Sequence, residues 1–285
     1  KGQAYEAFDC FEQMQREGVS PQAITFVHIL KACGITNAIK KSEQILDEIL
    51  NRGLNIQKDV VLGTALVDMY AEFGMLAKAQ QVHDELYEHS VISWNALISG
   101  YAEHGHGNEA LECFERMQRE GIPPNATAFV CVLKACSNIG ATNKLQGIHV
   151  EVERKSLLEE NPIIGSTLID AYVKCGLLSC AEEVFDKLPA QNVVTWNTLI
   201  TGYTQHGYGD MALKCLALMK SEGIYPDAFT FSCCLKACCM ISTSNMGEAL
   251  HDELNRKGLV ESDLVVGNTL INMYTNSGFL GSAQE

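Results

Sequence analysis

Long apolar runs are missing from this 285-residue chain: nowhere do about 18 apolar residues follow one another, so no membrane-spanning helix is expected. Alternating apolar stretches are short and no Asn-Gly pair occurs, which removes the main signals of strands and hairpins. There are 12 cysteines, yet no two are spaced Cys-x-x-Cys, and a zinc ribbon is thereby excluded. Basic residues are also in deficit. The 21 Lys and Arg face 35 Asp and Glu, a net charge of −14. That balance argues against a nonspecific nucleic-acid binder, whose affinity comes mainly from neutralised phosphates, but it leaves room for a reader of base edges. The sequence opens at Lys1-Gly-Gln-Ala-Tyr5 without a charged-then-apolar leader, so no signal or transit peptide is visible in it, and both of its ends fall in mid-repeat, so a piece of a longer protein is expected.

What the chain does have is a period. Val91-Ile-Ser-Trp-Asn-Ala-Leu-Ile98 returns 102 residues later as Val193-Val-Thr-Trp-Asn-Thr-Leu-Ile200. Gly63-Thr-Ala-Leu-Val-Asp-Met-Tyr70 returns as Gly165-Ser-Thr-Leu-Ile-Asp-Ala-Tyr172 and as Gly267-Asn-Thr-Leu-Ile-Asn-Met-Tyr274, at the same spacing. Leu-Lys-Ala-Cys ends at Cys33, Cys136 and Cys238. A register this regular implies a stacked array, one elongated solenoid instead of two globular domains, with function distributed along one face. Cysteines at recurring apolar positions read as reduced, structural thiols in a reducing compartment.

Internal landmarks divide the array into 1–22 (partial), 23–59 (long), 60–90 (short), 91–125 (ordinary), 126–161 (long), 162–192 (short), 193–227 (ordinary), 228–263 (long) and 264–285 (partial, short). Each division reads as two helices. In the one from Val91, an apolar stripe through Ile92, Ala96, Leu97 and Ile98 meets a turn at His104-Gly-His-Gly-Asn108. A second stripe, Ala110, Leu111, Phe114 and Met117, has spacings of one helical face. Gly121 closes that helix and Pro123-Pro124 prevents its continuation. The expected fold is all-α, a right-handed superhelical solenoid of helix–turn–helix repeats.

Two-helix repeats of this length suggest a tetratricopeptide array first. The residues resemble another family. Val-x-x-Trp-Asn-x-Leu-Ile-x-Gly-Tyr from Val91 and Val193, Glu-Ala-Leu-x-Cys-Phe-x-x-Met from Glu109, and Gly-Ile-x-Pro-Asn/Asp from Gly121 and Gly223 resemble the pentatricopeptide repeat over essentially the whole chain. The alternation of 35, 36 and 31 residues is similar to its plant-organelle PLS subclass. That resemblance implies single-stranded RNA as the partner, one nucleotide per repeat, with RNA 5′ to 3′ running alongside the protein N to C. It assigns base choice to the fifth and last residues of each repeat and base packing to the second.

Carried onto this chain, the pairs are Asn95 with Asn125, Asn197 with Asp227, Thr64 with Ser90, and Ser166 with Asn192, while Asn268 has a partner beyond the sequence. By resemblance Asn–Asp favours U, Asn–Asn C or U, Ser–Asn A, and Thr–Ser leans toward a purine. Asn carries both a donor and an acceptor to match a pyrimidine edge, whereas Ser or Thr is shorter and leaves room for a purine. Val61, Ile92, Ile163, Val194 and Val265 stand at the second position as flat aliphatic walls. Long repeats depart from the pattern, pairing Val27 with Asp59, Val130 with Asn161 and Ser232 with Asp263. Valine offers a base no hydrogen bond, so these are expected to read weakly or to act as spacers.

Several residues admit two readings. Asn95 and Asn197 are either base readers or helix caps, and Trp94 and Trp196 either core or stacking platforms. Lys31, Lys134, Lys174 and Lys236 are either phosphate contacts or a solvated face. His-x-Glu recurs at His83, His149 and His251, but the Pro-Cys-x-x-Cys that a zinc deaminase needs is missing, so repeat packing is the expectation. His104 and His106 flank turn glycines, and turn chemistry outweighs metal binding there. The sequon Asn125-Ala-Thr127 coincides with a base-reading position and is discounted. We therefore expect a nonenzymatic RNA-binding array in a mitochondrion or chloroplast, without cofactor, metal or membrane contact. The resemblance further implies guidance of C-to-U editing with accessory proteins or a deaminase that lies C-terminal or acts in trans. A protein-binding scaffold of tetratricopeptide type is the alternative.

Overall fold

The computed structural model describes residues 2–241 and 244–276, so Lys1 and the end of the division 264–285 lie outside the described residues. Every regular element among the described residues is a helix. The chain forms two compact units, Lys1–Ile139 and Gly140–Glu285. The first contains α1 (Gly2–Arg16), α2 (Ala23–Thr36), α3 (Ile39–Asn51), α4 (Val60–Glu72), α5 (Leu76–Glu85), α6 (Val91–Glu103), α7 (Gly107–Arg119) and α8 (Ala126–Ile139). The second contains α9 (Thr142–Arg154), the one-turn α10 (Leu157–Glu160), α11 (Pro162–Lys174), α12 (Leu178–Lys187), α13 (Val193–Gln205), α14 (Gly209–Ser221), α15 (Ala228–Ile241), α16 (Ser244–Arg256), the one-turn α17 (Leu259–Ser262) and α18 (Leu264–Asn276).

In the first unit α2, α4, α6 and α8 pack side by side as one layer, with α5 and α7 turned back against them. In the second, α11, α13, α15 and α18 make the equivalent layer, backed by α12 and α14. Gly74, Gly105, Gly176 and Gly207, all with φ between 70° and 83°, reverse the chain from the first layer to the second. Close approach within the layer depends on another glycine pair. A Cβ on Gly100 would lie 2.6 Å from the Ala71 methyl, and one on Gly202 2.6 Å from Val173 Cγ2. The Gly-Tyr of the repeated motif thus permits α6 to lie against α4 and α13 against α11.

Behind the layer, rings from successive helices meet at the same places. Phe11 packs edge-on to Phe26 at 6.1 Å, and Phe114 to Phe129 at 5.5 Å. Trp94 and Trp196 are buried in this core, which settles them as packing residues. Cys33, Cys136 and Cys238 are buried as well, and among the described residues no cysteine is in a disulfide. Burial pushes the Cys33 thiol up to about 11 and those of Cys113 and Cys215 to about 12, which holds them protonated and unreactive.

One core residue is out of character. His83 is fully buried with neither ring nitrogen hydrogen-bonded, stacked on His89 at 4.3 Å and 4.2 Å from the Trp94 ring. One period later Phe185 holds this place, 4.6 Å from Trp196. Burial, and then the charge of His89, push the His83 pKa down to about 4; Asp84 and Glu120 oppose this and Arg116 reinforces it. The unfolded chain takes up this proton below about pH 6.5 and the folded chain does not, so stability falls as pH drops from about 6.5 toward 4, by up to about 3 kcal/mol. His83→Phe is expected to flatten that loss. Thermal midpoints at pH 7 and pH 4.5 test it, and equal drops in variant and wild type would refute it.

Candidate nucleic-acid interface

Each first-layer helix needs a side chain to satisfy the free amides of its first turn, and the residue just before it supplies one. Asp59 accepts from Val61 N at 3.1 Å and Leu62 N at 3.0 Å, Ser90 from Ser93 N at 3.1 Å, and Asn125 from Ala128 N at 3.0 Å. In the second unit Asn161 accepts from Ile163 N at 3.0 Å, Asn192 from Thr195 N at 3.0 Å, Asp227 from Thr230 N at 2.8 Å, and Asp263 from Val265 N at 2.8 Å. All seven expected last-position residues are therefore helix caps.

The cap is also where two of the expected pairs meet. Asn95 Nδ2 donates to Asn125 Oδ1 at 3.1 Å, across 30 residues of sequence. Asn197 Nδ2 lies 3.2 Å from each carboxylate oxygen of Asp227. Neither Asn95 nor Asn197 is itself a cap: each is the fifth residue of its helix, and Ser90 and Asn192 do the capping. Partial burial works against the charge on Asp227, but the Thr230 N–H and hydroxyl, the Asn197 amide and the Phe229 N–H outweigh it and hold the pKa below the usual carboxylate value. Asp227 is thus an acceptor only.

The remaining positions differ. Thr64 is buried with no partner for its hydroxyl, and it lines one cavity together with Ser90 and Asn95. Ser166 donates to Ile163 O at 3.0 Å, and among the described residues no hydrogen bond joins it to Asn192. Asn268 is exposed on α18. In the long divisions Val27 is buried, Val130 is half-buried, and the buried Ser232 turns its hydroxyl onto Ala228 O at 2.9 Å.

Apolar side chains at the second helical residue project from the layer. Val61, Ile92, Ile163, Val194 and Val265 are 59–69% exposed, although they are aliphatic. Counting two residues into the long divisions also finds Ile24, Thr127 and Phe229, which sequence reasoning passed over; all three are exposed, Ile24 at 54% and Phe229 at 55%. Val61 and Ile92 wall a cavity of about 480 Å3 in the first unit, with Lys31, Thr64, Ser90 and Asn95 on its lining. In the second unit Val194 and Phe229 wall one of about 320 Å3 that contains Asn197 and Lys174.

Charge on this face is mixed. Lys31, Lys134, Lys174 and Lys236 are all exposed on first-layer helices. Lys174 pairs with Asp170 at 2.8 Å within its own helix. Asp68, in the first cavity, is pushed above the usual carboxylate range by burial, against the pull of Lys31. Among the described residues no three His, Cys, Asp or Glu side chains gather as a metal ion would require, and no helix is long and apolar enough to cross a membrane.

The chain has counterparts among known proteins. The profile of the PPR repeat family matches residues 89–138 and 191–240, that of the PPR repeat 166–193, and that of the pentatricopeptide repeat domain 1–36. A chloroplastic pentatricopeptide repeat-containing protein of Arabidopsis thaliana is 34% identical over 99% of this chain and 45% of its own length. Another from the same plant, named mitochondrial, is 29% identical over 97% of this chain and 26% of its own length. The chain thus spans less than half of either relative. Among solved structures, the pentatricopeptide repeat protein PPR10 in complex with an 18-nt psaJ RNA element superposes with a TM-score of 0.72 at 20% identity, covering 99% of this chain and 47% of that one. Motif, helix layering and relatives agree, and the chain belongs to the pentatricopeptide repeat family.

Proposed function

We propose that this chain binds single-stranded RNA in a sequence-selective manner, one nucleotide per repeat, along the first-layer face. The observation that carries the reading is the pairing of fifth and last residues, Asn95 with Asn125 and Asn197 with Asp227, beside cavities walled by exposed second residues. The repeat divisions given above are part of the proposal, supported by helices that begin at Ala23, Val60, Val91, Ala126, Pro162, Val193, Ala228 and Leu264. Each aliphatic wall offers a base a flat apolar surface, and each polar pair meets its edge. Ionised Asp227 accepts an N–H, which suits U. Asn125 gives its oxygen to Ala128 N and Asn95, and its Nδ2 is left to donate. The unpartnered Thr64 hydroxyl and Asn95 carbonyl, both buried at the first cavity, gain a partner when a base enters.

Chloroplastic and mitochondrial names among the relatives support an organellar site of action. The PLS-like alternation of lengths supports membership of an editing machinery, whose deaminase comes from elsewhere in a longer protein or in trans; no catalytic step is assigned to this chain. Selection from a random RNA pool tests the reading. The enriched core is expected to be 5′-R-Y-N-A-U-N-Y-3′, one base for each repeat from Val60 to Leu264. Equal affinity for the core and for its complement would sink the proposal. The acidic balance of −14 favours a protein-binding scaffold instead; that reading predicts no enriched RNA at all.

A further inference from the structure

The two pairs with Asn in the fifth place differ also at a residue outside the pair, three places after the last residue. Thr230 follows Asp227, and Ala128 follows Asn125. Thr230 is fully buried, and its hydroxyl lies 2.6 Å from Asn197 Oδ1 and 2.8 Å from Asp227 Oδ1, while accepting from Asp227 N at 3.1 Å. The hydroxyl has one proton; given to Asn197 Oδ1, the shorter contact, it holds the carboxamide at both ends, Nδ2 by the carboxylate and Oδ1 by the hydroxyl, while Asp227 keeps the Thr230 N–H. Turning it over would set its oxygen against an ionised carboxylate and remove the acceptor that the hydroxyl faces. The Ala128 methyl can do nothing of the kind. Asn95 is held by the single bond from Nδ2 to Asn125, and its buried Oδ1 has no partner.

Turning a carboxamide over exchanges a donor for an acceptor, and so does replacing U by C. Uracil presents an N3–H donor and an O4 acceptor, cytosine an N3 acceptor and an N4 amino donor. An amide free to turn can suit either base, whereas a fixed one suits only one. We propose that Thr230 is a specificity-determining positioning residue, which locks Asn197 so that its repeat separates U from C, while Ala128 leaves Asn95 able to turn so that its repeat takes both pyrimidines. This inference rests on the RNA-binding reading and concerns a residue outside the fifth, last and second positions.

Reciprocal substitutions in the whole chain test it, with affinities measured for RNAs carrying U or C opposite the repeats 193–227 and 91–125. Thr230→Ala and Thr230→Val are expected to lower the U-over-C preference of the first by about fivefold, the value of one hydrogen bond, and Thr230→Ser to keep it. Ala128→Thr is expected to sharpen the choice at the second by a similar factor without changing the neighbouring nucleotide. That gain cannot come from unfolding, and thermal midpoints of the Thr230 variants separate lost capping from lost orientation. An unchanged U-to-C ratio in folded Thr230→Ala, or in Ala128→Thr, overturns the inference while the RNA-binding reading stands. Wild-type protein with no base preference at either nucleotide overturns that reading and this inference together.

Discussion

Trp94→Ala is expected to destabilise the first unit by about 3–5 kcal/mol, the range for deleting a buried aromatic side chain. Trp94 is wholly buried, 4.2 Å from the His83 ring, 5.6 Å from that of His89 and 5.3 Å from the Arg116 guanidinium, so its removal opens space that three side chains border at once. These neighbours come from α5, the segment after it and α7, and none can collapse inward without leaving its own helix or ion pair. Arg116, for example, is tied to Asp84 at 2.6 Å. Trp94→Phe should cost much less, because the indole N–H makes no hydrogen bond that would be lost. Urea denaturation followed by far-UV circular dichroism measures both. The same pair of variants tests the packing role through RNA binding. A core residue predicts that Trp94→Phe retains RNA affinity, and a stacking platform predicts that Trp94→Ala weakens RNA binding at an unchanged unfolding midpoint.

The fold was legible because its signals are local and periodic: the returning Val-x-x-Trp-Asn motif, the turn glycines and the apolar stripes each report on one helix or one turn. Asn95 shows where local signals end. Its position after Trp94 was compatible with a cap or with a mid-helix side chain, and what decides is that Ser90 already caps the helix while Asn95 reaches a residue 30 places away. That partnership depends on how α6 and α8 lie side by side, which no propensity encodes. His83 was hidden for a related reason. It looked like one member of a recurring His-x-Glu, but His149 and His251 donate to or accept from Tyr172 and Tyr274, each at 2.8 Å, whereas His83 occupies a ring position that Phe185 fills one period later. The same His-x-Glu pattern, with its histidine eighth in each helix, meets different neighbours in different repeats. The role of Thr230 is not legible locally, because it lies in the bond its hydroxyl makes to Asn197, 33 residues away.

Asn197→Ser is expected to change which base the repeat 193–227 takes. The shorter side chain loses the amide that donates to Asp227 and accepts from Thr230, and leaves room beside Phe229 and Val194 for a larger base. Asp227 itself should be little disturbed, since the Thr230 N–H at 2.8 Å and hydroxyl at 2.8 Å still hold it as a charged cap of α15. An ionised carboxylate beside a purine favours a base rich in edge N–H donors, which among the purines is G. One mismatched base typically costs about 1–3 kcal/mol, roughly 5- to 150-fold in affinity. The variant should therefore bind the U-containing core more weakly by a factor in that range and recover when that single base becomes G. Neighbouring nucleotides should keep their preferences, because Asn192 and Asp263, the last residues of the adjoining repeats, cap their helices independently of Asn197. Competition binding with the four bases at that one position reads the result. A uniform loss across all four would make Asn197 a structural residue, held in place by Asp227 and Thr230 to join α13 to α15 and nothing more.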